Sequence, residues 1–114
     1  MNITVIGPGA IGVLLAYTLA NGEHEISLLV KPEHEYLLDQ KKIRIKDMTG
    51  KIIDKKIKII TSLSKTDLVI LTVKSYDVKH LLDQIKGRDT PILCCQNGLQ
   101  TLNLLKNKIK PNLL

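Results

Sequence analysis

The sequence predicts an α/β protein built on a mainly parallel sheet with an antiparallel ribbon in its middle section. Two observations carry that prediction. Short β-branched runs, first at Ile3-Thr4-Val5-Ile6 and again at Leu68-Val69-Ile70-Leu71-Thr72-Val73, have the continuous apolar character of strands buried on both faces. Stretches of helical apolar spacing lie between such runs, and strands alternating with helices imply parallel pairing through right-handed crossovers. The composition agrees: 44% of the 114 residues are apolar, with no Trp, no Phe and three Tyr. Packing therefore rests on Ile, Leu and Val, in an amount that suits one domain spanning residues 1–114.

In chain order, the strand at Ile3–Ile6 closes at Gly7. A helix follows from about Ala10, with Ile11, Leu14, Leu15 and Leu19 at helical spacing and Gly22 as an expected left-handed stop. Glu25-Ile26-Ser27-Leu28-Leu29-Val30 reads as a second strand ending at Lys31, and Pro32 opens a brief helical stretch to Lys41. Apolar and charged residues then alternate in Lys42-Ile43-Arg44-Ile45-Lys46 and in Lys56-Ile57-Lys58-Ile59, around the turn signal Asp47-Met48-Thr49-Gly50. That pattern predicts a half-exposed antiparallel ribbon. Beyond the strand at Leu68–Val73, Ser75 can cap a helix with the stripe Val78, Leu81, Leu82 and Ile85, followed by Gly87. Pro91–Cys95 is the last strand. Gln96-Asn97-Gly98 forms a turn, and Leu102, Leu105 and Ile109 mark a final helix ending near Pro111.

The formal charge of +6 raises the question of an anionic partner. The lysines are spread along the chain, densest at Lys51, Lys55, Lys56 and Lys58, and no aromatic residues alternate with them to stack on bases. This argues against nucleic acid and for a solvated lysine-rich face, whose positive field would also favour a phosphorylated small ligand. Cys94 and Cys95 are adjacent, poor geometry for a disulfide, and read as buried reduced thiols. His24, His34 and His80 have no metal-ligand spacing, so no metal site is expected. No run approaches the ~18 apolar residues of a membrane span, and the chain reads as cytoplasmic.

Gly7-Pro8-Gly9-Ala10-Ile11-Gly12 has the form G-x-G-x-x-G. It follows the first strand directly and opens the first helix, the setting in which this pattern binds a dinucleotide on a Rossmann-type, doubly wound sheet. Gly7 allows the tight turn, Gly9 lets the backbone approach the pyrophosphate, and Gly12 lets helix and strand pack closely. At the end of the second strand, where an acidic residue would hold the ribose hydroxyl of NAD, stands Lys31. An ammonium there attracts a 2′-phosphate and favours NADP(H), with Glu33 nearby as a counterweight. Lys74 and Asn97 fall at carboxyl ends of predicted parallel strands, where ligands of such sheets collect. Lys74 can reach a cofactor or an acidic substrate, or be a surface lysine; Asn97 precedes Gly98 in what is also an ordinary turn dipeptide.

Together, Ile3 to Gly12, Val73-Lys74-Ser75-Tyr76-Asp77 and Gln96-Asn97-Gly98-Leu99 resemble the three N-terminal signatures of ketopantoate reductases, in order and at fitting intervals. The resemblance implies that Gly7 to Gly12 bind the pyrophosphate and that Lys31 meets the 2′-phosphate, where family members often have Arg. It also implies that Lys74 lines the cofactor cleft and that Asn97 contacts cofactor and keto-acid substrate together. The family's proton-donating lysine and substrate-orienting acidic residue come from a helical C-terminal domain, and the sequence given stops at Leu114 before either. No catalytic residue is therefore assigned, since sequence alone does not assign that role to Lys74, Tyr76 or His80. The expectation is the cofactor-binding half of an NADPH-dependent 2-dehydropantoate 2-reductase, forming pantoate for pantothenate and coenzyme A synthesis, truncated and inactive alone. The alternatives are the cofactor half of a related keto-acid reductase, or a stand-alone NADP-binding or partner-binding module associating through an uncovered apolar surface.

Overall fold

A computed structural model describes residues 1–7, 9–31, 42–72, 82–85 and 89–95. Pro8, the helical stretch expected at 32–41, Val73 to Leu81 with Lys74, Ser75, Tyr76 and His80, and everything from Gln96 onward, including Asn97 and the last helix, lie outside the described residues.

Five strands form one parallel sheet: β1 (Asn2–Ile6), β2 (Glu25–Leu29), β5 (Lys58–Ile60), β6 (Leu68–Leu71) and β7 (Ile92–Cys94), in the order β5-β2-β1-β6-β7. β1 lies at the centre, paired with β2 from Asn2↔Glu25 to Ile6↔Leu29 and with β6 from Ile3↔Leu68 to Ile6↔Leu71. The chain builds outward from β1 in one direction through β2 and β5, and in the other through β6 and β7. The order therefore reverses between β1 and β6, the kind of place where open α/β sheets take their ligands, with α1 packed on one core layer and Ile85 on the other. Alternation within the strands feeds two apolar layers. Ile3, Val5, Leu28 and Ile70 face α1 (Ala10–Ala20), while Ile6, Leu29, Val69 and Leu71 pack with Ile85 of the short helix α2 (Leu82–Ile85).

The structure corrects the expected ribbon. β3 (Lys42–Lys46) pairs antiparallel with β4 (Ile52–Lys56), Arg44 opposite Asp54, so that of the expected partner Lys56–Ile59 only Lys56 belongs to the ribbon. Ile57 and Ile59 are buried in the main core, so the chain breaks out of the ribbon at Ile57 and continues as the edge strand β5. Alternating charge cannot separate a solvated ribbon from a sheet edge with one covered face, which is why the two segments read alike. The turn itself forms as expected. Asp47 Oδ1 accepts hydrogen bonds from the Thr49 N–H (2.9 Å), the Thr49 hydroxyl (2.6 Å) and the Lys51 N–H (2.9 Å), and Gly50 takes φ 87°.

Three smaller expectations also change. Gly22 is not a left-handed stop, since positive φ among the described glycines occurs at Gly7 and Gly50. The end of α1 tightens instead, with the Asn21 and Gly22 amides donating to the Thr18 and Leu19 carbonyls, which satisfies them without a left-handed residue. Of the stripe expected on α1, Leu15 and Leu19 pack against the main core but Ile11 and Leu14 do not. Those two are 57% and 56% exposed, while Gly12 and Ala16 are buried against the sheet. A helix that is apolar nearly all round gives no periodic signal for its inner side. Cys94 and Cys95 are free thiols, as expected, but half-buried; burial, with Cys95 beside it, pushes the Cys94 thiol pKa up.

Candidate cofactor site at the carboxyl end of the sheet

The site begins where β1 runs out. Gly7 leaves the strand at φ 119°, a conformation that side chains rarely adopt, and its N–H donates to the Leu29 carbonyl at 3.1 Å, so the turn remains fastened to β2. Gly9 follows as the N-cap of α1 in extended conformation, and its carbonyl accepts the first helical bond from Val13 N–H at 2.9 Å. No described side chain caps this helix and its first turn has no acidic residue. The first amides of α1 thus keep their donors, and the helix dipole makes this end positive. A Cβ added at Gly9 would meet nothing within 4 Å. That open approach to bare backbone is what a pyrophosphate requires, so the residues present fit a dinucleotide.

Gly12 serves packing. A Cβ there would collide with the Gly7 carbonyl and lie 2.7 Å from Thr72 Oγ1. The helix therefore sits on the turn as closely as backbone permits. Thr72, directly after β6, is the residue the sequence reading missed. Its N–H and hydroxyl both donate to the Ile6 carbonyl (3.0 and 2.8 Å), and the hydroxyl lies 3.4 Å from the Gly7 carbonyl. The end of β6, across the reversal point, thereby holds the strand end from which the glycine turn departs. A signal was present: one hydroxyl residue at the end of an otherwise aliphatic run needs a partner once partly buried.

Of the expected site residues, the structure brings together Gly7, Gly9, Gly12, the start of α1 at Ala10 and Ile11, and Lys31. Lys31 is half-buried and follows Val30, whose N–H donates to the Ile60 carbonyl at 2.8 Å. β2 is the immediate neighbour of β1, about 4.8 Å away as paired strands are, which puts Lys31 at the same end of the sheet as the glycine turn. No group of three or more His, Cys, Asp or Glu among the described residues could hold a metal ion, and no described helix is long and apolar enough to cross a membrane.

A glycine turn at the reversal point of a β5-β2-β1-β6-β7 parallel sheet, opening a helix with bare amides, defines a Rossmann-type domain. The chain belongs to the ketopantoate reductase PanE/ApbA family, whose model matches residues 3–114. It is 35% identical over 101 residues to a 2-dehydropantoate 2-reductase of Pyrococcus horikoshii, covering 87% of this chain and 34% of that protein. Among solved structures it is similar to a probable 2-dehydropantoate 2-reductase of Bacillus subtilis, with TM-score 0.82 and 27% identity over 95% of this chain and 38% of the other. It is also similar to a D-mandelate dehydrogenase solved with NADH, with TM-score 0.77 and 25% identity over 99% of this chain and 37% of the other. The chain thus spans between a third and two fifths of the length of these proteins.

Proposed function

We propose that this chain forms the cofactor-binding part of an NADPH-dependent 2-dehydropantoate 2-reductase, which reduces ketopantoate to pantoate in the cytoplasm. The observation that carries the reading is the glycine turn clamped between β2 and β6 at the start of α1, within a chain that matches the ketopantoate reductase family over 3–114. When bound, the nicotinamide supplies the hydride that reduces the ketone. The chain's own residues bind and orient. The amides at the start of α1 hold the pyrophosphate, Gly9 lets it approach, Gly12 and Thr72 keep the turn in shape, and the Lys31 ammonium attracts the 2′-phosphate that distinguishes NADPH from NADH. Family resemblance adds Lys74 in the cofactor cleft and Asn97 between cofactor and substrate. No proton donor for the ketone is assigned among these residues. Exposed Ile11 and Leu14 beside the turn support a covering partner, the further residues by which the relatives exceed this chain.

Calorimetric titration of the chain with NADPH and NADH in parallel tests the reading. Saturable NADPH binding, tighter than NADH, is expected. A folded chain that binds neither would overturn cofactor binding, and equal affinity would overturn the part given to Lys31. Likeness to a D-mandelate dehydrogenase solved with NADH favours one second reading, in which the same cofactor part serves a different keto acid. Turnover assays of full-length protein with ketopantoate beside other 2-oxo acids separate the two.

A further inference from the structure

A parallel sheet covered on both faces is expected to be apolar along its whole length. One face of this sheet departs from that at its amino-terminal end. Toward the carboxyl end, Ile60, Leu29, Ile6 and Leu71 make an apolar row across β5, β2, β1 and β6. Two residues back, on the same face by strand alternation, the row across β5, β2 and β1 is Lys58, Ser27 and Thr4. This polar row lines a cavity of about 350 Å³, with Lys56, Lys65 and His24 among the other residues around it.

Among the described residues, the lining has three lysines against the one carboxylate of Glu25, a charge of +2 with His24 neutral. Among the described residues, none of Lys56, Lys58, Lys65 or His24 has a side-chain hydrogen bond or ion pair, and the half-buried Ser27 hydroxyl has none either. Ammonium groups gathered around one cavity repel one another wherever they come within a Debye length, about 8 Å at physiological salt. A dianion between them turns that repulsion into attraction, and a hydroxyl at its floor supplies a directional donor. Thr4, 2% exposed, is already committed, its hydroxyl donating to Thr66 Oγ1 at 3.0 Å.

We infer that this cavity is a second anion site, which takes the phosphate group of a small phosphorylated molecule on Lys58, Lys65 and Ser27. The volume lies at the small end of the roughly 300–1,000 Å³ of ligand sites, and among the described residues no Phe, Tyr or Trp lines it to stack a nucleic-acid base. Asn2 and Glu25, at the amino ends of β1 and β2, also line it, while Gly7 and Lys31 follow the carboxyl ends of the same strands, so the cavity does not depend on the cofactor reading.

The test is an amide NMR titration of the chain with inorganic phosphate, with ribose 5-phosphate, and with sodium chloride at matched ionic strength, about two pH units above the phosphomonoester second pKa of about 6, so that both phosphates are largely dianions. Saturable shifts at Ser27, Lys58 and Lys65 with both phosphates and not with chloride are expected, weakened about tenfold in Lys58→Gln and again in Lys65→Gln. Tighter binding of ribose 5-phosphate than of phosphate would identify a phosphorylated molecule as the source; equal binding would identify free phosphate. Shifts confined to Gly9–Gly12, shifts reproduced by chloride, or binding unchanged in both lysine variants would each overturn the site. The lysines are exposed or border the cavity without partners, so the variants are expected to fold, which thermal unfolding of each checks.

Discussion

At the carboxyl end of the sheet the backbone makes the site, whereas at the amino end side chains do. Gly7, Gly9 and Gly12 bring carbonyls and amides together with almost no side-chain atoms between them, and Thr72 closes the arrangement by donating to a carbonyl. At the opposite end, Asp67 Oδ2 accepts from the Asn2 N–H at 2.8 Å, Thr66 Oγ1 lies 3.0 Å from the Asn2 carbonyl, and the Thr4 hydroxyl donates to Thr66. The carboxyl end leaves backbone amides available for a ligand, whereas at the amino end Thr4, Thr66 and Asp67 are used internally to hold the strands and only side chains beyond them, Ser27 and the lysines, stay available. Substitutions at the two ends should therefore separate cofactor affinity from stability.

The largest effect is expected from Gly12→Ala. The added methyl collides with the Gly7 carbonyl, so the helix must shift off the turn; stability should fall by about 1–3 kcal/mol and NADPH affinity by about a hundredfold, read by denaturant unfolding and calorimetry. Lys31→Ala comes next. Removing one charge-assisted contact of about 1.5–3 kcal/mol should weaken NADPH about tenfold or more while leaving NADH unchanged, and equal losses for both cofactors would refute the 2′-phosphate contact.

A matched pair then sharpens the comparison. Thr72→Val and Thr66→Val each remove one hydroxyl, so each should cost about 1–2 kcal/mol of stability. Only Thr72→Val should also lower NADPH affinity, a few-fold, with Thr72→Ser restoring it. An affinity loss in Thr66→Val would erase the distinction between the two ends.

The smallest effect concerns the ribbon, away from both ends. The Thr49 hydroxyl, helped by the Lys51 and Thr49 amides, holds the Asp47 carboxyl below its usual range. A carboxylate with a lowered folded-state pKa stabilises fully above its unfolded value of about 3.9, and the contribution is lost as pH falls through the folded value. The turn should loosen only in that acid window, seen as loss of the Thr49 and Lys51 amide shifts, and Asp47→Asn should flatten the transition.

How legible each part was follows the same division. The glycine turn could be read before the structure because backbone recognition needs glycines at fixed spacing beside a strand, and Gly7, Gly9 and Gly12 meet that condition. The place of Lys31 at the same end of the sheet as the turn was legible from its distance along the chain. Thr72 was not picked out because its role depends on β6 lying against β1 across more than sixty residues, a pairing no local pattern displays. The inner side of α1 was hidden by its apolar outer side, Ile11 and Leu14. Ile57 and Ile59 alternate with lysines as Ile43 and Ile45 do, so only burial distinguishes sheet edge from ribbon.

The central place of β1 also bears on how the chain acquires its shape. β1 is synthesised before both of the strands that it needs as partners, and one of them ends at Leu71. Until that segment is made, Ile3, Val5 and Ile6 can pair with β2 alone, leaving one edge and much apolar surface open to other chains. Parallel pairing across such separations raises contact order, which slows folding. Growing chains halted between β2 and β6 should therefore be the aggregation-prone species, and those extended past Leu71 the first to protect the amides of β1 from exchange.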